Sequence, residues 1–276
     1  KENLIRLLAK AGHQTIEVTS FVRPDKMKQM SDAAALYPKV KDLESKVALP
    51  CLVPNMKGLE NALELGVKEI AVFTAASDTF NHKNTNVTIS QSFDRIGPVI
   101  ELALKEKIKV RGYVSTAFGC PYEGQVSKDV VYTVAQKLRN LGCYEISLGD
   151  TIGSGTPKTV SEVLNLFDNV SDLALHFHDT RGMALVNVLA GLSYGVSVFD
   201  SSTGGLGGCP YAKGATGNVA TEDLVYLCES FGIQTGIDMA AQASASEFIL
   251  KKLNKKTTSK FLQAYINGER NIFIPY

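Results

Sequence analysis

The chain has 276 residues, of which 45% are hydrophobic, and 29 Lys and Arg balance 28 Asp and Glu. That length suits one or two domains and is also the size at which an α/β barrel fills a chain alone. The even charge leaves no footprint for nucleic acid or an anionic membrane surface, and no apolar run is long enough for a helical membrane span. Cys51, Cys120, Cys143, Cys209 and Cys228 are odd in number, unclustered and without CxxC spacing. This pattern predicts a reducing compartment and argues against a disulfide framework and a structural zinc site.

The opening "KENLIRLLAKAG" has the spacing of an amphipathic helix, with Leu4, Ile5, Leu7 and Leu8 on one broad stripe. It has the pattern of neither a signal nor a transit peptide, so a targeting segment is not expected here. A unit then recurs: helical stretch, Gly-containing turn, short β-rich run, polar loop. Its strands lie in "AGHQTIEVTSF", "VALPCLVPN", "LGVKEIAVFTAAS", "IKVRGYVSTAF", "LGCYEISLGDT", "SDLALHFHDT" and "YGVSVFDSST". Helices are predicted over 90–107, 128–141, 157–167 and 183–194, with Pro157 behind Thr156 reading as a first-turn proline after an N-cap. Further helices are predicted near 221–230 and 239–253.

Strands alternating with helices imply parallel pairing through right-handed crossovers. The near-uniform units, and polar residues at the C-terminal end of every strand, favour a (β/α)8 TIM barrel over an open doubly wound sheet. A closed barrel needs eight strands and seven are found, so the first strand is expected to precede Lys1. One barrel domain over 1–276 is expected, with a C-terminal helical extension from about 231. The ending "NIFIPY" is expected to cover part of the barrel mouth or to serve a subunit contact.

Two of the four histidines sit in "LALHFHDT". Strand alternation puts His176 and His178 on one face and Leu175 and Phe177 on the other, so the imidazoles point into the barrel near its top. A half-built metal site and a hydrogen-bonded core pair are both consistent with that placement, and the following Asp179 favours the metal. The loop "STGGLGGCPYAKGATGN" carries six glycines and, between Gly208 and Pro210, Cys209. It lacks the order of a phosphate-binding Walker loop. Cys209 is placed either for acid–base work or as an incidental thiol.

Arg111, Tyr113 and Ser115 share a face of the strand "VRGYVS", opposite Val110 and Val114, and read as lining the site. Glu17 lies in the β-branched run "TIEV", where a charge needs a partner, either a bound group or a salt bridge to Arg111. Asp150 ends a strand in "SLGDTIGSGTP" and reads as either a site carboxylate or a helix-entry cap.

With these residues assembled, the sequence resembles the 3-hydroxy-3-methylglutaryl-CoA lyase family from the first helix to about residue 260. "GLGGCPYAKGATGN" looks like that family's signature loop around its reactive cysteine, and "IEVTSFV", "RGYVSTAFGCPYEG", "YEISLGDTIGSGTP" and "LHFHDT" match as well. The resemblance implies Mg²⁺- or Mn²⁺-dependent cleavage of 3-hydroxy-3-methylglutaryl-CoA to acetyl-CoA and acetoacetate, with no organic cofactor beyond the CoA thioester substrate. It implies that His176, His178 and Asn218 are metal ligands. Cys209 becomes the thiol acid/base, His176 a second proton carrier, and Glu17 and Asp150 the acidic residues of the site. Ser20, Ser147, Thr151 and Gly208, inside the matching motifs, join Arg111 and Tyr113 in substrate binding. Asn254 and Lys256 in "NKKTTSK" resemble the family's segment near coenzyme A, and also read as a solvated basic helix end.

Three departures stand out. The family's opening strand carries an Arg-Asp pair absent here, whose place would be just before Lys1. Arg181 in "HDTRG" stands where the family usually has Tyr. "NIFIPY" also lies outside the pattern and has no peroxisomal tripeptide. An active lyase is therefore weighed against a non-catalytic barrel serving as a binding or subunit-pairing protein, and against a condensing acyl-CoA synthase. The family implies a homodimer without nucleic-acid or membrane partners, in the mitochondrial matrix of a eukaryote or the cytoplasm of a bacterium.

Overall fold

The computed structural model describes residues 1–23, 27–208 and 217–268. In chain order the elements are α1 (Glu2–Lys10), β1 (Thr19–Ser20), α2 (Ala33–Val40), β2 (Cys51–Leu52), α3 (Met56–Leu65), β3 (Glu69–Ala75), α4 (Asp78–Thr85) and α5 (Ile89–Lys105). They continue through β4 (Lys109–Ser115), α6 (Lys128–Asn140), β5 (Glu145–Asp150), α7 (Pro157–Leu164), β6 (Leu173–Phe177), α8 (Ala184–Ser193) and β7 (Val198–Asp200). The helices α9 (Thr221–Ser230), α10 (Met239–Leu253) and α11 (Lys260–Ile266) complete the described chain. All seven strands fall where the sequence places them.

The sheet runs in the order β1-β2-β3-β4-β5-β6-β7, and every neighbouring pair is parallel. The strands β3 to β6 bury apolar faces against the helices. Val110 and Val114 of β4 are fully buried on that side, and a side chain at Gly112 between them would press on Leu138 and Ile146. Arg111 and Tyr113 therefore point the other way.

Those two residues reveal the curl of the sheet. Arg111 on β4 bonds to Asp200 on β7, and Tyr113 on β4 bonds to Glu17 just ahead of β1. Three strand spacings in a flat sheet amount to about 14 Å, too far for either contact. The sheet thus bends around a common interior, as a TIM-barrel-like α/β fold requires, and β1 and β7 do not pair among the described residues.

The helix termini follow local chemistry. Thr156 caps α7 in a reciprocal capping box with Thr159, and Pro157 occupies the first turn as expected. The helix α3 is the helical stretch expected ahead of the glycine turn at Gly66, whereas α2, α4 and α11 lie outside the predicted ranges: α2 contains Pro38, and α4 is almost wholly polar. At the C-terminal side, α10 packs on α1, where His13 Nε2 meets Gln242 Oε1 at 2.7 Å and Asp238 N–H donates to the Ala11 carbonyl. α11 packs on α9 and sets the Phe261 ring 5.3 Å from that of Tyr226 in a tilted contact. No described helix is long and apolar enough to cross a membrane. Cys51, Cys120, Cys143 and Cys228 are buried free thiols.

Candidate active site

The site forms where the strands end. Leu173, Ala174, Leu175 and Phe177 of β6 are buried, leaving His176 as the half-buried residue aimed at the interior. Just beyond β6 the chain pairs with the segment after the glycine loop: Val219 N–H donates to the Phe177 carbonyl and Asp179 N–H to that of Gly217. This antiparallel bridge sets Asn218 opposite His178. The rings of His176 and His178 lie 5.3 Å apart.

Two buried atoms here, His178 Nδ1 and Asn218 Oδ1, lack any hydrogen-bond partner among the described residues. Asn218 is otherwise fixed, since its Nδ2 donates to the Leu206 carbonyl at 3.1 Å. Burial, with His176 nearby, pushes the His178 imidazole down to about 4, so the ring is neutral at pH 7 and keeps a free lone pair. Orphaned buried polar atoms are rare, and a neutral imidazole nitrogen beside an amide oxygen is a donor set that suits a divalent cation. Among the described residues, no group of three His, Cys, Asp or Glu is so arranged. This set is two histidines and an amide.

Beside it runs a chain of polar contacts across the barrel interior. Arg111 is buried, and its Nε donates to Glu145 Oε1 at 2.5 Å, its Nη1 to Tyr113 OH at 2.9 Å and its Nη2 to Asp200 Oδ1 at 2.8 Å. Tyr113 OH in turn donates to Glu17 Oε2 at 2.6 Å, and Ser147 Oγ donates to Asp200 Oδ2 at 2.7 Å. His176 Nδ1 stands 3.6 Å from the same Asp200 oxygen. Burial favours the protonated Asp200 carboxyl, but Arg111 and His176 prevail and hold it well below the usual carboxylate range.

The expected direct pair of Glu17 with Arg111 is therefore replaced by a relay through the Tyr113 hydroxyl. The carboxylates that meet Arg111 are Glu145 and Asp200, which sequence reasoning did not single out. The available signal was a buried cation on β4 that needed an acid at the same level of a neighbouring strand; register was the missing information.

The remaining candidates are spread around this centre. Asp150 is fully buried and accepts from Ser154 N–H and Gly155 N–H, each at 2.9 Å, so it holds the loop leading into α7. Burial raises its carboxyl and those two amides oppose the rise. Thr151 Oγ1 accepts from Thr116 N–H at 2.8 Å, tying the ends of β4 and β5 together. Ser20 is buried, with its hydroxyl unpartnered. Arg181 Nη1 donates to the carbonyls of Ile152 and Gly153, so this residue clamps the loop after β5.

Gly208 is exposed at the edge of the described glycine loop, and Cys209 lies outside the described residues, as does "NIFIPY". The base of that loop is anchored below by Glu222, a buried carboxylate that accepts from Gly204 N–H, Gln242 Nε2 and Ser246 Oγ. Asn254 caps α10 in the left-handed conformation, and Lys256 lines a groove of about 800 Å³ with Lys251 and Lys255. The same segment reaches the glycine loop, where Thr257 Oγ1 donates to the Gly204 carbonyl at 3.2 Å.

Comparison with known proteins agrees with this architecture. The HMGL-like family model matches residues 1–249. The mitochondrial hydroxymethylglutaryl-CoA lyase of Mus musculus is 50% identical over 267 residues, covering 96% of this chain and 82% of that protein. The crystal structure of hydroxymethylglutaryl-CoA lyase from Pseudomonas aeruginosa superposes with a TM-score of 0.92 at 46% identity, covering 96% of this chain and 89% of that one. An HMG-CoA lyase from Acinetobacter baumannii, solved with coenzyme A and 3-methylmalate, gives a TM-score of 0.88 at 38% identity, over 95% of this chain and 86% of that one. The chain belongs to the hydroxymethylglutaryl-CoA lyase family.

Proposed function

We propose that the protein cleaves 3-hydroxy-3-methylglutaryl-CoA into acetyl-CoA and acetoacetate, using Mg²⁺ or Mn²⁺. The observation that carries this reading is the pair of buried, unpartnered atoms His178 Nδ1 and Asn218 Oδ1 beside His176 at the strand ends. His176, His178 and Asn218 would hold the cation, which when bound supplies Lewis acidity to the substrate's tertiary hydroxyl. In the reaction that hydroxyl loses its proton, the adjacent carbon–carbon bond breaks, and its electron pair enters the thioester enolate. A proton returned to the enolate carbon gives acetyl-CoA, and the former carbinol carbon becomes the ketone of acetoacetate.

The chain's own residues divide this work. Cys209, between Gly208 and Pro210, transfers a proton at Sγ, and His176 is the second carrier. Glu17, water-accessible and hydrogen-bonded to Tyr113, is the acid that faces the substrate. Asp150 acts through the loop it holds. Ser20 offers an unpartnered hydroxyl, while Arg111, Tyr113, Ser147, Thr151 and Gly208 shape the substrate's walls. Lys256, with Lys251 and Lys255 around the groove near Asn254, suits the phosphates of coenzyme A. A homodimer, in the matrix of a mitochondrion or the cytoplasm of a bacterium, completes the proposal.

The test is product analysis. With 3-hydroxy-3-methylglutaryl-CoA and either cation, equimolar acetyl-CoA and acetoacetate are expected, and Cys209→Ala lowers kcat by about 10²–10⁴. Absence of acetoacetate, or an unimpaired Cys209→Ala, overturns the reading.

A further inference from the structure

We infer that Asp200 is a positioning residue that fixes the tautomer of His176, leaving Nε2 as the nitrogen with a free lone pair for a divalent cation. The inference rests on the cation reading above and adds a residue to it.

Strand register puts the two side by side, since His176 of β6 pairs with Asp200 of β7 and both side chains face the interior. The carboxylate cannot turn away. Its Oδ1 is held by Arg111 Nη2 at 2.8 Å and its Oδ2 by Ser147 Oγ at 2.7 Å. Arg111 is itself pinned by Glu145 and by Tyr113. The groups fixing Asp200 thus come from β4 and β5, and among the described residues the imidazole nitrogen that stands against Oδ2 is His176 Nδ1, at 3.6 Å. At that distance the contact is electrostatic rather than a closed hydrogen bond. It still selects one tautomer, because an acceptor-only carboxylate repels a lone pair on Nδ1 and attracts N–H there. A histidine that donates through one nitrogen to a carboxylate presents the other to a metal, and this outer partner governs ring orientation and ligand basicity.

His178 differs. Among the described residues its Nδ1 has no hydrogen-bond partner, so none of their carboxylates sets that nitrogen. The two imidazoles are therefore supported unequally, and only His176 depends on Asp200.

The chain has four histidines, which makes the tautomer directly measurable by long-range ¹H–¹⁵N correlation on metal-free protein labelled with ¹⁵N-histidine, at about pH 8. His176 is expected to carry its proton on Nδ1 in the unaltered protein. Asp200→Asn retains an oxygen for Arg111 but turns an amide N–H toward Nδ1, and is expected to move the proton to Nε2. In the same variant Mn²⁺ affinity, followed by electron paramagnetic resonance, falls by about 10–100-fold. His176 protonated on Nε2 in the unaltered protein overturns the inference, as does an Asp200→Asn variant that changes neither tautomer nor Mn²⁺ affinity. If the unaltered protein binds no Mn²⁺, the cation reading fails, while the tautomer still decides the role of Asp200.

Discussion

A buried imidazole nitrogen with no partner is a cost the fold carries at His178, and such costs gather where function requires them. His178→Leu removes the orphaned atom along with the proposed ligand. Metal-free stability of this variant is expected to match or exceed that of the parent in denaturant unfolding, while Mn²⁺ affinity falls more than about tenfold. A stability loss above about 2 kcal/mol contradicts the orphan argument.

Glu222 makes a second residue-scale prediction. Burial raises its carboxyl from the ordinary value of 4.5, against the hydrogen bonds from Ser246, Gln242 and Gly204. A raised acid binds its proton more tightly when folded, so its contribution is present at low pH and is lost as pH rises through the raised value. Glu222→Gln does not titrate. Its stability relative to the parent is expected to rise from about pH 4.5 to pH 8, in paired denaturant curves. A constant difference contradicts the raised pKa.

These residues also mark what was legible. The His-x-His pair and Asp150 stood out as polar residues at strand ends. Asp200 closes "VSVFD" in the same way, yet nothing local distinguishes it. Its meaning comes from register with His176 and from the guanidinium of Arg111, both set by strands far apart in the chain.

At the scale of elements, Arg111 joins β4 to β5 and β7 from a buried position. Breaking a buried ion pair from one side leaves the other charges uncompensated, so Arg111→Met is expected to cost about 3–5 kcal/mol of unfolding free energy. A loss below about 1 kcal/mol would mean that water already compensates Glu145 and Asp200.

The glycine loop makes a steric prediction. A methyl group at Gly217 would collide with the Gly205 carbonyl oxygen and crowd that of Gly207. Gly217→Ala therefore separates the loop's two ends and displaces Asn218, the next residue. Both Mn²⁺ affinity and melting temperature are expected to fall, and an unchanged pair of values contradicts the close packing. The strands were readable because their β-rich runs recur between glycine turns. The helices α2 and α4 were not, because an internal proline and a polar composition hide the 3.6-residue period that betrays α5 and α6.

At the scale of the whole molecule, the order of units along the chain becomes the order of strands around a common interior, so every strand's C-terminal end opens at one mouth. Fold class could be read from that recurrence. The closeness of β1, β4 and β7 could not, because it depends on curvature, and curvature leaves no mark on a single strand's sequence. The packing of α10 on α1 through His13 and Gln242 escaped for the same reason.

The central claim is that this mouth cleaves its substrate with a cation held by His176, His178 and Asn218. Acetoacetate release from 3-hydroxy-3-methylglutaryl-CoA, measured after chelation and again after graded Mn²⁺ addition, tests it most directly when Asn218→Ala is run beside the parent. The account predicts activity that is abolished by chelator, restored by Mn²⁺, and shifted in Asn218→Ala to Mn²⁺ concentrations at least about tenfold higher. Release that survives chelation, or a Mn²⁺ requirement identical in Asn218→Ala, would contradict it.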